Sequence, residues 1–400
     1  MKSSTQKATQ LINDCVESQS TELDLSNLNL EFTTEQMFAI SQLSHLESLD
    51  LHGNKIQVLP TEICKLRLLK RLDLGENDLK TLPTEIGLLE KLEELFLNNN
   101  PLTELPSEIW KLSLLKRLDL TDTELKTLTP EIGKLKLLEH LYLNGLWLKK
   151  FTPEQVSAIS QLSHLESLDL SSNKLHVLPP EIFKLNLLKR LNISDNKLKT
   201  LPHEIVHLTQ LETLDLRENK LTDLPPEIGQ LGKLIDLDLS DNQLTDLPPE
   251  IGLLQQLEKL DLTNNLFIKL PDCVFHLTNL HELYCLYNQI SELPQLIRRL
   301  IQLKVLDLRG NQLTKLPVEI GLLKELERLH VGENSLVEVP KEIGLLEKLE
   351  DLLLNNNQLT ELPTEITNLN KLNYIGLKEN PIKELSNEVR LWLKPFDVKF

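Results

Sequence analysis

The stretch Pro226–Pro248, PEIGQLGKLIDLDLSDNQLTDLP, returns along most of the chain with a period of 23 residues. Its Leu234, Leu237, Leu239, Asn242, Leu244 and Leu247 spell LxxLxLxxNxLxxLP, and neighbouring copies place the asparagine at Asn219 and Asn265. A fixed period of this length restricts the chain to architectures in which one supersecondary unit stacks on copies of itself. A unit this short cannot bury its own leucines, so stability comes from stacking and both ends need covers.

Each position in the frame has a physical task. The LxL segment alternates as a short parallel strand does, with Leu237 and Leu239 facing the core and Asp236 and Asp238 pointing out. Asn242 turns the chain out of the strand, and its amide can bond backbone groups of its own and the adjoining coil. Stacked asparagines therefore predict a buried ladder. The following P-x-E-I starts a helical turn on the far side, with Pro at the first helical position and Glu near its positive end. Of sixteen repeats, thirteen carry this Asn, from Asn54 to Asn380, and the departures are Leu28, Thr123 and Leu146. Threonine keeps part of the hydrogen bonding and leucine none, so the ladder is expected to break at Leu28 and Leu146.

Residues 1–20 are expected to form an N-terminal capping helix, with Ala8, Leu11, Ile12, Cys15 and Val16 at helical spacing. The array runs over 21–386, and 387–400 form a C-terminal cap in which Val389, Trp392, Leu393 and Phe396 cover the last coil. Phe32–Pro60 nearly copies Phe151–Pro179, which points to duplication of a five-repeat block. In both copies Thr33 or Thr152 stands three residues before Gln36 or Gln155, a capping-box spacing that predicts fuller helices from Thr34 and Pro153.

The motif LPxEIGxLxxLxxLxLxxNxL over 21–386 resembles the 23-residue class of leucine-rich repeats, found in many bacterial proteins and in scaffolds of the Ras-suppressor and Scribble kind. The dense array with short caps is most similar to the leptospiral leucine-rich-repeat proteins. The expected fold is an α/β solenoid, a leucine-rich-repeat horseshoe with a concave parallel β-sheet, convex short helical turns and helical end caps. The resemblance implies a protein-binding surface and, for bacterial members, roles at the host–pathogen interface.

A net charge of −17 argues against nucleic acid and anionic membranes as ligands, because both call for a basic face. No apolar run has the length of a membrane span. The N-terminus shows no apolar signal core, and the four cysteines, Cys15, Cys64, Cys273 and Cys285, are scattered rather than clustered as in a secreted cap. These features predict free thiols and a cytoplasmic protein, or one secreted without a visible signal peptide.

One string resembles a catalytic motif: His203, Glu204, Ile205, Val206 and His207 spell HExxH. In a zinc hydrolase such histidines bind metal from one helix face and the Glu acts as base. Here Glu204 and Ile205 belong to the frame, as Glu181 and Glu227 show in adjacent repeats, and no third ligand is assignable. What remains is a surface metal site at His203 and His207, able to bridge molecules. No enzymatic activity and no cofactor are expected.

The outward position between the two strand leucines is Asp in nine of sixteen repeats, so the substitutions carry more information than the default. Toward the C-terminal half Tyr284, Leu286 and Tyr287 lie together, preceded by His281 and followed on later strands by His330, Leu353 and Tyr374. At ~4.8 Å per strand these four coils span about 20 Å. Phe96 and Tyr142 form a smaller cluster in the first half. Exposed tyrosines favour interfaces, so a protein ligand on the concave face is the expected partner, with the chain a monomer or weak oligomer. Three functions compete: a protein-binding scaffold, a metal-bridged or self-associating assembly, and a zinc metallohydrolase.

Overall fold

A computed structural model describes residues 4–146 and 151–396. They fall into two compact units, Met1–Asn196 and Lys197–Phe400. In the first, the 15-residue helix α1 (Ser4–Ser18) precedes strands β1 (Glu22–Asp24), β2 (Ser48–Asp50), β3 (Arg71–Asp73), β4 (Glu94–Phe96), β5 (Arg117–Asp119), β6 (His140–Tyr142), β7 (Ser167–Asp169) and β8 (Arg190–Asn192). The second holds β9 (Thr213–Asp215), β10 (Asp236–Asp238), β11 (Lys259–Asp261), β12 (Glu282–Tyr284), β13 (Val305–Asp307), β14 (Arg328–His330), β15 (Asp351–Leu353) and β16 (Tyr374–Gly376). Within each unit every strand pairs in parallel with the next, without register slip: Asp238 faces Asp261, Asp261 faces Tyr284, and Tyr284 faces Asp307. The return segments are short 3-10 turns, as Pro226–Gln230 illustrates.

The core is the stacked column of frame residues. Leu237, Leu239, Leu244, Ile251 and Leu257 are fully buried, and most of their counterparts along both units are buried too; Leu30 and Ile382, in the first and last coils, are half-buried. Each buried leucine or isoleucine contributes ~2 kcal/mol, but only when a neighbouring coil covers it. The four cysteines are buried free thiols. Burial pushes Cys64 up to about 12 and Cys273 up to about 11.

The asparagine ladder is present and it has a direction. Asn242 Nδ2 donates to the Leu216 carbonyl of the preceding coil at 3.0 Å and to its own Leu239 carbonyl at 3.1 Å. Its Oδ1 accepts the preceding coil's Leu221 N–H at 3.0 Å. Each asparagine thus serves the coil before it. Leu28 belongs to the first coil, and that coil's groups are met by Asn54, which bonds the Leu25 carbonyl and the Leu30 N–H. At Leu146 the service is withdrawn from the coil of Thr123, whose hydroxyl turns instead to its own Leu120 carbonyl at 3.0 Å. Thr123 in turn offers no amide oxygen to Leu102, whose N–H bonds Asn100 O at 2.8 Å.

The two longer repeats form helices where the spacing predicts them, α2 (Thr34–Ser41) and α3 (Pro153–Ile159). Both carry the reciprocal capping box, with Thr33 N–H donating to Gln36 Oε1 at 3.0 Å and Thr152 N–H to Gln155 Oε1 at 2.8 Å. In α1 Ala8, Ile12 and Cys15 are buried, whereas Val16 is exposed because the helix turns that side away from the first coil. At the other end α4 (Asn387–Leu393) starts on Ser386, whose hydroxyl accepts the Val389 N–H at 3.2 Å. Val389 and Leu393 are buried; Trp392 and Phe396 stay half-exposed, with ring centroids 5.1 Å apart and planes tilted by 50°. Residues 397–400 of the expected cap lie outside the described residues.

The ladder supplies the first test. Asn242→Leu keeps an apolar side chain of similar size but strips the acceptor from the Leu221 N–H and a donor from the Leu216 carbonyl. Urea denaturation should show a loss of about 2–4 kcal/mol, reflecting buried groups left unpaired. Hydrogen exchange should quicken first at Leu221.

Candidate protein-binding surface

The outward aspartates have a structural task that the sequence pattern conceals. Asp238 Oδ1 accepts the Ser240 N–H at 2.9 Å, Asp261 Oδ1 the Thr263 N–H at 2.8 Å, and Asp50 Oδ1 the His52 N–H at 3.0 Å. The remaining aspartates of this column bond the N–H two residues on in the same way, and so does Asn192 with Ser194. This is a side-chain-to-backbone turn that ends each strand. The acidic default of the strand face is therefore first a turn signal.

At six positions the chain gives that bond up, with Phe96 and Tyr142 in the first unit and Tyr284, His330, Leu353 and Gly376 in the second. In the second unit they share one row across β12–β16, interrupted only by Asp307. Tyr284 is half-buried and its hydroxyl donates to Glu282 Oε2 at 2.9 Å, which fixes the ring. Burial, with the Glu282 carboxylate beside it, pushes this phenol up to about 12. Leu286 is half-buried and Tyr287 is 53% exposed in the turn that leaves β12. Tyr374 is 56% exposed and stands in the adjoining row beside Asp351.

Tyr287 occupies the left-handed position that precedes each ladder asparagine, with φ +50°, where other coils use Glu, Asp, Asn, Ser or Gly. A bulky residue is strained there. Gly310, one coil on, makes the placement feasible: a Cβ at Gly310 would stand 2.4 Å from Tyr287 Cδ1. Leu353 is seated likewise, since a Cβ at Gly376 would stand 3.0 Å from Leu353 Cδ2. The exposed Tyr287 and the half-buried Leu353 thus each lie across a glycine of the following coil. Neither glycine was identified from the sequence as part of the surface; the legible signal was a Gly one period after an outward Tyr or Leu.

Two expected contact residues are committed elsewhere. The His330 side chain is only 13% exposed, with Nδ1 3.2 Å from Asp307 Oδ2 and Nε2 3.1 Å from Asp351 Oδ2. Asp307 is also gripped by Arg309, with Nη2 2.7 Å from Oδ2. Burial raises the Asp307 carboxyl, but the bonds from His330 and Arg309 outweigh it and hold it below its ordinary value of 3.8. His281 lies at the rim, 3.6 Å from Glu258 Oε2. His330 therefore braces the floor of the patch rather than reaching out of it.

In the first unit the aromatic rings are already covered. Arg71 Cζ sits 4.4 Å from the Phe96 centroid and Arg117 Cζ 5.9 Å from that of Tyr142, each an arginine from the preceding strand. Arg71 is also 2.9 Å from Asp73 Oδ2. Asp119 separates the two rings in register.

The HEIVH string forms the 3-10 turn His203–His207. With three residues per turn, positions i and i+4 lie about 120° apart, so the two histidines do not share a face as they would on an α-helix. His203 is instead 3.4 Å from Glu204 Oε2. Among the described residues, no group of three or more His, Cys, Asp or Glu side chains is arranged to hold a metal ion.

Asp307→Ala should unbrace His330 and Arg309 and destabilise the protein by on the order of 2 kcal/mol at pH 7, less than a fully enclosed pair because Arg309 and Asp351 are about a third open. Because this carboxyl is depressed on folding, its contribution is complete above the ordinary value of 3.8 and disappears as pH falls through the lower folded value. The difference between wild type and variant should therefore shrink only below about pH 4. Gly310→Ala should lose about 1–3 kcal/mol by thermal denaturation through its φ of +65° and its collision with Tyr287.

The leucine-rich-repeat family model matches residues 19–79, 44–102, 163–221, 209–267, 255–313 and 324–382. Among solved structures, a leucine-rich-repeat protein of Leptospira interrogans is 36% identical, with 98% of each chain covered and a TM-score of 0.82. YopM from Yersinia enterocolitica is 26% identical over 95% of this chain and 83% of its own, with a TM-score of 0.59. The plant peptide hormone receptor RGFR1, solved in complex with RGF2, is 28% identical over 88% of this chain and 61% of its own, with a TM-score of 0.64. Curated protein sequences yield no match. With a repeat frame, a ladder and a bacterial counterpart spanning 98% of its length, the chain belongs to the leucine-rich-repeat family, as a 23-residue-repeat member similar to the leptospiral proteins.

Proposed function

We propose that this chain is a non-catalytic scaffold that binds a protein ligand on the strand face of its second unit, with Tyr284, Leu286, Tyr287, Leu353 and Tyr374 as the contact. The observation that carries the reading is the abandonment of the turn-forming aspartate at Tyr284 and Leu353, combined with the glycine seats under Tyr287 and Leu353. Exposed aromatic side chains held in fixed orientations lose little entropy on binding and are the residues that dominate interface energetics. The similarity to a receptor solved with a peptide hormone supports ligand binding by this fold. The likeness to the leptospiral protein and to YopM supports a place at a host–pathogen interface.

Partner capture from a host-cell lysate and from a bacterial lysate tests it, with wild type beside Tyr284→Ala/Tyr287→Ala/Leu353→Ala. At about 2 kcal/mol per interface anchor, the triple variant should lose a bound partner more than a hundredfold. Its melting temperature should stay within a few degrees of wild type. A partner retained equally by both proteins would remove this face from consideration.

A further inference from the structure

The row that contains Tyr284 has a gap in its charge compensation. Running from β9 to β13 it reads Asp215, Asp238, Asp261, Tyr284, Asp307. The two outer aspartates have cations of their own: Arg217 Nε is 3.6 Å from Asp215 Oδ2, and Arg309 grips Asp307. The nearest lysine in the middle, Lys259, is 3.5 Å from Asp236 in the adjoining row. Among the described residues, no cation comes within ion-pair distance of Asp238 or Asp261. Their hydrogen bonds come from Ser240 and Thr263, neutral groups that orient the carboxylates without offsetting their charge. Burial, with Asp238 repelling it as a further cause, lifts the Asp261 carboxyl above the ordinary range, against the bonds from Thr263 and the more distant charge of Lys259.

We propose that Asp238, Asp261 and the ring of Tyr284 together seat an arginine side chain of the protein partner, the two carboxylates meeting the guanidinium and the tyrosine flanking its plane. Three in-register strands place these groups side by side, at ~4.8 Å per strand, which matches the span of a guanidinium with its attached methylene. Arginine suits the seat better than lysine, since its planar fork bonds carboxylates at two points and stacks on aromatic faces. The molecule already uses this chemistry internally, where Arg71 lies over Phe96 and bonds Asp73. In the first unit the chain supplies the arginine itself; at Tyr284 the corresponding strand position, on β11, is Lys259, and that lysine is turned to Asp236. The inference rests on the protein-binding reading of this face and specifies its partner's chemistry.

The experiment is an amide-resolved NMR titration of the full chain with N-acetyl-arginine methylamide, using the citrulline analogue as the uncharged isostere. The arginine probe should shift the Ser240 and Thr263 amides saturably, at least fivefold more than citrulline, and the response should fall several-fold in 0.5 M salt. Asp238→Asn/Asp261→Asn should abolish it while preserving the turns, because Asn192 makes the same turn bond to Ser194 at 2.9 Å. Tyr284→Leu should weaken it and Tyr284→Phe should not. Equal shifts from citrulline, or an unchanged response in the double asparagine variant, would overturn the proposal. The two readings fail separately: a partner lost by the triple alanine variant but indifferent to the asparagine variant removes the arginine seat alone. An arginine response with no partner lost on alanine substitution leaves the seat and removes the docking reading.

Discussion

The structure depends on an amide that faces backward along the chain. Each ladder asparagine closes hydrogen bonds its predecessor's coil has left open, so a coil is complete only when the next one has formed. That makes the leucine column cooperative, because apolar burial alone would tolerate sliding between coils, whereas an amide that must meet one N–H and two carbonyls fixes the register. It also explains which departures are tolerated. A leucine at the first ladder position, Leu28, deprives no earlier coil. The pair Thr123 and Leu146 falls in consecutive coils, where the threonine hydroxyl and a local bond to Asn100 O absorb part of the loss.

Most of the fold was legible because the frame encodes it redundantly. Strand positions, the far-side turns, the ladder and both capping boxes follow from residue type and spacing, and Thr33 with Gln36 places α2 to the residue. The helical nature of the HEIVH segment was less legible. An i, i+4 pair reads as one face only on an α-helix, and five residues between Pro202 and Leu208 close a 3-10 turn instead. Val16 fails for a related reason: the stripe that periodicity assigns to a short cap helix is wider than the side one coil can cover.

The surface was legible in outline and not in mechanism. An outward aspartate looks like surface charge in a sequence, yet Asp238 and its counterparts each hold a backbone N–H at the strand end. Only coordinates separate a carboxylate engaged in a turn from one free to attract a ligand. The same holds for His330, which the alternation places outward and which two flanking carboxylates draw down into the sheet. Gly310 and Gly376 escaped notice since a missing side chain has meaning only relative to the ring or methyl that crosses it.

The turn role of the aspartate changes how its replacements weigh. Giving up a side-chain bond to a strand-end N–H forfeits on the order of 1 kcal/mol at each position, and Tyr284 and Leu353 both give it up within the same four coils. Tyr287 adds the strain of a left-handed tyrosine. Drift in a repeat array falls on positions where substitution is nearly neutral; these three substitutions are each unfavourable for folding, two of them in the coil of β12 and the third three strands on. The first unit shows the contrast, since Phe96 and Tyr142 forfeit the same bond but gain an arginine over the ring, so their aromatic surface is satisfied within the chain. In the second unit no arginine lies over the ring of Tyr284 or Tyr287 among the described residues; Tyr284 instead bonds Glu282, and Tyr287 lies across Gly310.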